Sequence, residues 1–169
     1  MDASSFRVIG IDPGSRYTGY GIVEFRGPHC RHIASGRINA SKGEDFSDRL
    51  NLIYSGLRQV LDEFPCSFAA AETVFVGKNV MSTIKLGQAR GVALLALNQA
   101  NLPLSEYAPT EVKQAVTGRG RAVKDEVQIM VRRILGIPPE SKISEDASDA
   151  LAIAICHGHT LKFEQRLES

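Results

Sequence analysis

The sequence predicts an α/β protein with a five-stranded mixed sheet flanked by helices on both faces. Two observations predict this fold. Three strand-like segments come first, as in an antiparallel meander, and helical and strand-like segments then alternate through the remainder. A chain of 169 residues is long enough for one domain with its own core. We therefore expect a single domain over 1–169, with an ordered core at about 6–160 and a polar tail at 161–169.

The first strand is the short apolar run that begins at Phe6 and ends at Asp12. Its β-branched residues suit a buried strand, and its apolar character on both faces favours a central position. Pro13-Gly14 then turns the chain. A carboxylate at the end of a central strand is well placed for chemistry. Taken alone, however, such an aspartate more often forms a turn than a catalytic site.

Two more strands are expected at 17–24 and 31–38, where Gly19 and Gly21 leave room for another backbone to approach. Apolar residues at helical spacing predict a helix over 46–64. A short apolar run, 67–72, ends in Glu72 and predicts a buried strand. This strand should run parallel to the first, because a helical crossover precedes it.

The second half of the chain is mainly helical by pattern. Residues 79–101 predict a helix whose many small side chains favour close packing, either on the sheet or against a second subunit. A brief strand is expected at 104–108 and a short helix at 110–116. A basic, glycine-spaced loop over 117–124 leads into another helix. Ser144 is a candidate N-cap for a final helix over about 145–158.

Composition excludes several classes of protein. No apolar run approaches the ~20 residues of a membrane span, and no signal peptide is recognisable at the N-terminus, so we expect a cytoplasmic protein without a membrane partner. The three cysteines form no CxxC pair, which favours reduced thiols and argues against structural zinc. The net charge of +1 does not by itself indicate a nucleic-acid partner.

Four carboxylates occupy informative positions. Asp12 and Glu72 end strands that are expected to be adjacent and parallel, so both should lie at one edge of the sheet. Asp146 and Asp149 share a face in the first turns of the last helix, where the helix dipole alone commonly explains acids. Together, the four supply the hard oxygen ligands that suit Mg²⁺ or Mn²⁺. Two such ions can assist displacement at a phosphodiester.

Several blocks of the sequence resemble the bacterial RuvC Holliday-junction resolvases. The first block is Val8-Ile9-Gly10-Ile11-Asp12-Pro13-Gly14 with the Thr18-Gly19-Tyr20-Gly21 that follows. The later blocks are Lys85-Leu86-Gly87-Gln88-Ala89-Arg90-Gly91, Val112-Lys113-Gln114-Ala115-Val116 and Asp146-Ala147-Ser148-Asp149-Ala150-Leu151. They occur in order between Val8 and His159. Each block is weak alone, but their combination is specific.

This resemblance implies a ribonuclease-H-like nuclease domain and a homodimer. It implies a bacterial, cytoplasmic endonuclease of DNA recombination and repair that makes paired symmetric nicks in four-way junctions. The expected products carry 5′-phosphate and 3′-hydroxyl ends. The resemblance also implies cooperation with the RuvA–RuvB branch-migration complex.

The resemblance further implies that Asp12, Glu72, Asp146 and Asp149 hold two Mg²⁺ ions per active site, with Mn²⁺ as a substitute. Asp12 would bridge both ions. Some members of the family carry histidine at the position of Asp146.

Further residues are candidates for binding DNA. Lys113 and Lys124 match lysines that the family uses near the scissile phosphate, and Lys124 could stabilise developing charge as a catalytic residue. Arg119 and Arg121 suit phosphate contacts, although a solvated surface loop explains each equally well. Phe75 could stack on an unpaired base, the alternative being a core or lid residue. The four histidines are interpreted as structural.

Two other functions remain open. One is a nuclease that acts on other branched DNA or on RNA hybrids. The other is a junction-binding module without catalytic activity, although four retained acids facing phosphate argue against it. Sugar kinases and chaperone ATPases can share the opening strand pattern, but the chain is too short for their two lobes.

Overall fold

The computed structural model describes residues 5–167. The five strands are β1 (Phe6–Asp12), β2 (Tyr17–Arg26), β3 (His29–Asn39), β4 (Phe68–Glu72) and β5 (Leu104–Tyr107). The five α-helices are α1 (Phe46–Glu63), α2 (Val80–Gln99), α3 (Pro109–Thr117), α4 (Lys124–Leu135) and α5 (Glu145–Leu167), and a short 3-10 helix spans Ala40–Lys42. The strand order is β3-β2-β1-β4-β5. β1 is central, antiparallel to β2 and parallel to β4, which confirms the predicted mixed sheet.

Helices cover both faces of this sheet, as predicted. One apolar core joins the sheet to α3, α4 and α5, and the other joins the opposite face to α1 and α2. The strand β1 contributes to both cores because successive side chains alternate between the faces. Val8 belongs to the core of α5, whereas Ile9 and Ile11 belong to the core of α1.

Glycines in β1 and β2 allow α5 to lie unusually close to the sheet. A Cβ atom added to Gly10 would overlap the carbonyl oxygen of Ala150 and lie 2.7 Å from the backbone nitrogen of Ala154. A Cβ atom added to Gly19 would overlap the backbone oxygen of Asp146. The prediction that Gly19 leaves room for another backbone is therefore confirmed, and the backbone is that of the helix that carries two of the acids.

The last helix is longer than the sequence analysis predicted. α5 continues to Leu167, so the predicted helix end at about residue 158 is wrong, and residues 168–169 of the expected tail lie outside the described residues. The polar character of residues 161–167 was taken to place them outside the ordered core, but leucine, lysine, glutamate, glutamine and arginine are good helix formers. Leu161 also packs against the core, which anchors the extension.

The small residues of α2 serve two different surfaces. Ala89, Ala93 and Ala96 are fully buried in the core beside the sheet. An added Cβ atom at Gly87 or Gly91 would meet no atom within 4 Å, so these glycines lie on an open surface. Over the described residues, no helix is both long and apolar enough to cross a bilayer.

Candidate active site

Asp12 and Glu72 lie at the same edge and on the same face of the sheet. Asp12 is in phase with Val8, and Glu72 is in phase with Ala70; both of these apolar residues face the core of α5. β1 and β4 pair in parallel, with Ile11 opposite Ala71, so the two carboxylates follow neighbouring strands. The predicted convergence of Asp12 and Glu72 at one edge is therefore confirmed.

The N-terminus of α5 brings the third acid to this edge. The Ser144 hydroxyl accepts a hydrogen bond of 3.2 Å from the backbone N–H of Ala147, so Ser144 acts as the predicted N-cap. Asp149 then lies in the second turn of the helix. The close approach of α5 at Gly10 and Gly19 sets the height of Asp149 above the sheet.

A small cleft of about 120 Å³ gathers most of the charged residues predicted for the site. Asp12, Glu72 and Asp149 line it together with Lys113 of α3 and Lys124 of α4. The rest of the lining is largely apolar and includes Val112, Val127 and Ile153. The cleft therefore combines three carboxylates and two ammonium groups against low-dielectric walls.

The carboxylates of this cleft repel one another. Burial raises the pKa of Asp12 to about 7, and the negative charges of Asp149, Asp146 and Glu72 add to the effect. Burial also raises the pKa values of Glu72 and Asp149. Lys124 lowers all three pKa values but does not offset the other effects. The cluster is thus short of positive charge.

Lys124 lies directly against the acids of α5. Its Nζ atom is 3.1 Å from Oδ2 of Asp149 and also forms an ion pair with Glu145. Burial acts to lower the pKa of Lys124, but the two carboxylates outweigh it and raise the pKa. Lys124 therefore remains a cation at neutral pH, in contact with the candidate metal-binding acid Asp149.

Asp146 lies at the margin of the cleft and does not line it. Its Oδ2 atom is 3.9 Å from Nη1 of Arg37, a residue of β3. Arg37 and Glu145 were not among the residues predicted for the site. Glu145 could have been noticed as a further acid in the first turn of the last helix. Arg37 becomes visible only through the pairing of β3 with β2, which no local pattern reveals.

The other candidate DNA-binding residues lie outside the cleft. Phe75 is 72% exposed in the segment between β4 and α2, so it is neither a core residue nor a closed lid. Arg119 forms an ion pair with Glu126 at 2.6 Å, and Arg121 is exposed in the same loop. The structure does not bring these three side chains into contact with the carboxylates.

The histidines of α5 require a correction. With the last helix expected to end at about residue 158, His157 and His159 would lie at its C-terminal end. They lie in the middle of α5, and burial lowers both pKa values, which favours the neutral form. His157 Nδ1 is 2.7 Å from the hydroxyl of Tyr107, so a packing role for His157 agrees with its surroundings.

The donor set of the cleft fits a hard divalent cation. Within residues 5–167, no three histidine, cysteine, aspartate or glutamate side chains lie close enough to form a ready-made metal cluster. Mg²⁺ does not need one, because it commonly binds through one or two carboxylates together with water and substrate phosphate. A cation between Asp12 and its neighbours would also relieve the repulsion that raises the pKa of Asp12.

The raised pKa of Asp12 predicts how stability depends on pH when no metal is bound. From pH 4 to pH 7 the folded state holds a proton on Asp12 that the unfolded state releases, because the folded pKa is about 7 and the ordinary value is 3.8. Stability therefore falls as pH rises through this range, by about 1.4 kcal/mol for each unit of pKa difference. Urea unfolding measured from pH 4 to pH 7 should show a smaller fall in the free energy of unfolding for Asp12→Asn than for the wild type. An equal dependence of this free energy on pH in the two proteins would contradict this account.

Comparison with known proteins agrees with the fold. The family described as "Crossover junction endodeoxyribonuclease RuvC" matches residues 8–157. A protein of that description from Trichlorobacter lovleyi is 51% identical over 151 residues, covering 89% of this chain and 84% of the relative. Another from Syntrophotalea carbinolica is 50% identical over 153 residues, covering 90% and 94%.

A solved structure gives the same assignment. T. thermophilus RuvC in complex with Holliday junction substrate is 34% identical and superimposes with a TM-score of 0.86, covering 94% of this chain and 96% of that chain. The ribonuclease-H-like fold that the motifs implied is thereby confirmed. The family match spans most of the chain and includes all four acids. This chain belongs to the crossover junction endodeoxyribonuclease RuvC family.

Proposed function

We propose that this protein is a structure-specific DNA endonuclease that resolves Holliday junctions by paired symmetric nicks in recombination and repair. The observation that carries the proposal is the cleft in which Asp12, Glu72 and Asp149 meet Lys113 and Lys124. Family membership supports the same activity. The expected products carry 5′-phosphate and 3′-hydroxyl ends. We extend the proposal to a bacterial cytoplasmic setting and to cooperation with the RuvA–RuvB branch-migration complex.

In this proposal, Asp12, Glu72 and Asp149 hold Mg²⁺, with Mn²⁺ as a substitute, and Asp146 contributes from the margin of the cleft. When bound, two divalent ions would supply an activated water and stabilise the charge of the in-line displacement. The carboxylates would hold these ions where they can bind the scissile phosphate, and the apolar wall of the cleft would limit access of bulk water. Asp12 has the central position because its strand, β1, lies between β2 and β4 in the middle of the sheet.

The two lysines act directly on the DNA. Lys113 and Lys124 face the same cleft as the acids, so their ammonium groups can offset the charge of the phosphate. Lys124 contacts Asp149 and can therefore hold that carboxylate in place as well. We propose Lys124 as a catalytic residue and Lys113 as a residue that positions the scissile strand.

Residues outside the cleft contact DNA farther from the scissile phosphate. Phe75 is exposed enough to stack on an unpaired base at the junction centre. Arg119 and Arg121 belong to an exposed loop, between α3 and α4, that can follow the sugar-phosphate backbone. These contacts would hold the junction without reading its sequence directly.

The activity is tested on a synthetic four-way junction with magnesium. We expect wild-type protein to nick two opposed strands and to cut a flap and an RNA–DNA hybrid much more slowly. Equal cutting of all three substrates would favour a less selective nuclease. Absence of cutting in Mg²⁺ and Mn²⁺, with normal junction binding, would support a binding module and contradict the proposal.

Two opposed nicks require two sites in fixed relation, which a twofold dimer supplies. We propose that the open face of α2 belongs to the dimer interface. Gly87 and Gly91 on this face leave space for the backbone of a second subunit, and Val80, Met81 and Ile84 of the same helix are exposed. An exposed apolar surface of this kind is typical of an interaction site.

Replacement of Gly91 by glutamate should therefore convert the dimer to a monomer. A charged side chain placed in an apolar interface loses solvation without gaining a partner. Sedimentation or light scattering gives the mass directly. A matched Gly77→Glu variant, in the loop before α2, should keep the mass of the wild type. A dimer that persists in Gly91→Glu would exclude this position from the interface.

A further inference from the structure

Arg37 lies on the β3 side of the sheet edge that carries Asp12 and Glu72, and it has no role in the reaction proposed above. Arg37 lies opposite Gly19 in the pairing of β2 with β3, and Gly19 lies opposite Asp12 in the pairing of β1 with β2. Residues directly opposite one another on antiparallel strands share a face of the sheet. Arg37 therefore lies on the same face as Asp12 and two strands away from it.

Two contacts hold this guanidinium while leaving it accessible. Its Cζ atom lies 4.2 Å from the ring centre of Tyr17, which is a cation–π arrangement. Its Nη1 atom lies 3.9 Å from Oδ2 of Asp146, which is longer than a direct hydrogen bond. The side chain of Arg37 is 49% exposed. Stacking on Tyr17 limits its movement, and the loose ion pair leaves N–H groups available for another anion.

The charge distribution along this edge of the sheet indicates which anion Arg37 would bind. Carboxylates occupy the middle of the edge, and Lys113 of the cleft belongs to α3, the helix that directly follows the edge strand β5. Arg37 supplies a cation on the opposite, β3 side. A DNA strand that crosses the carboxylates would therefore meet positive charge on both sides of the scissile position. A guanidinium is also well suited to phosphate, because its N–H groups match two phosphate oxygens.

We propose that Arg37 is a further DNA-binding residue, which contacts a backbone phosphate on the β3 side of the cleft. This inference rests on the proposed junction-cutting function. The competing role is that of an internal counterion for Asp146. The separation of 3.9 Å and the exposure of 49% favour the role in binding DNA, since a dedicated counterion would be closer and more buried.

The test measures junction affinity as a function of salt concentration, in an Asp12→Asn background that keeps the junction uncut. We expect Arg37→Gln to bind about fivefold more weakly. The slope of log K against log salt should be smaller by about 0.9, because one phosphate contact is lost. Arg31→Gln is the matched control. Arg31 lies at the other end of β3 and pairs with Glu24 at 2.7 Å, so its loss should change neither quantity.

A second variant tests the role of the aromatic ring. Tyr17→Leu keeps the charge of Arg37 but removes the ring beneath it, so the affinity should fall while the salt slope stays unchanged. Unchanged affinity and slope in Arg37→Gln would overturn the proposal. A second result would also overturn it: unchanged junction binding by Arg37→Gln, together with a changed magnesium requirement for cutting when the same substitution is made in protein that retains Asp12. That result would make Arg37 a counterion for Asp146. Cutting by the wild type reports on the proposed function separately.

Discussion

We expect the Asp12→Asn variant to fold normally, to bind four-way junctions and to cut them at least roughly 10²–10³-fold more slowly than the wild type. Asparagine has almost the same shape as aspartate but lacks the negative charge. Burial and the charges of three other acids together raise the pKa of Asp12 to about 7. Removing its charge should therefore remove most of the affinity for divalent cations without disturbing the packing of β1.

Three measurements on the same preparation separate these effects. Nicking of a synthetic junction gives the rate, and a binding assay without metal gives the affinity for DNA. The increase in thermal stability on addition of Mg²⁺ gives metal binding independently of activity. Asp62→Asn, at an exposed position of α1 on the opposite side of the sheet, is the control and should match the wild type in all three. Wild-type cutting by Asp12→Asn would contradict the proposed role.

The second large effect should come from Gly10, which has no chemical role. Its replacement by alanine adds one methyl group that overlaps the carbonyl oxygen of Ala150. The clash involves helix backbone, so no side chain can rotate away to relieve it. We expect a loss of about 3 kcal/mol in the free energy of unfolding, at the upper end of the usual cost of overpacking. The displaced α5 should also carry Asp149 away from Asp12 and slow the reaction.

Urea unfolding gives the stability of this variant, and the nicking rate per folded molecule gives its activity. Gly77→Ala is the matched control, because an added Cβ atom there has Thr83 Oγ1 as its nearest neighbour at 3.4 Å. The control should stay within about 0.5 kcal/mol of the wild type. A wild-type unfolding midpoint for Gly10→Ala would show that α5 can move away from the sheet at little cost.

Local sequence patterns were sufficient to place two of the acids. Asp12 and Glu72 each end a short apolar run, and the helical segment between them requires a crossover to a parallel strand. Strand alternation then puts both side chains on one face at one edge. Helical spacing added Asp146 and Asp149 as candidates and the family motifs added Lys113 and Lys124, and the cleft contains three of these four.

The C-terminal part of α5 shows where composition was a poor guide. Residues 161–167 are mostly polar, which placed them outside the predicted ordered core, yet they continue the helix. Individual helix propensities and the packing of Leu161 outweigh polarity here. The same extension moves His157 and His159 from the helix end to its middle, where burial lowers their pKa values.

By itself, the sequence determined the order of the elements, the edge of the sheet that carries the acids and the kind of cation they suit. These features depend on residues that are close in the chain or on the alternation within single strands. Only the tertiary structure decided that α5 packs against Gly10 and Gly19 and that Lys124 forms an ion pair with Asp149. It also decided that Arg37 lies near Asp146 and stacks on the ring of Tyr17. These contacts join residues far apart in sequence, and close packing between the elements selects them.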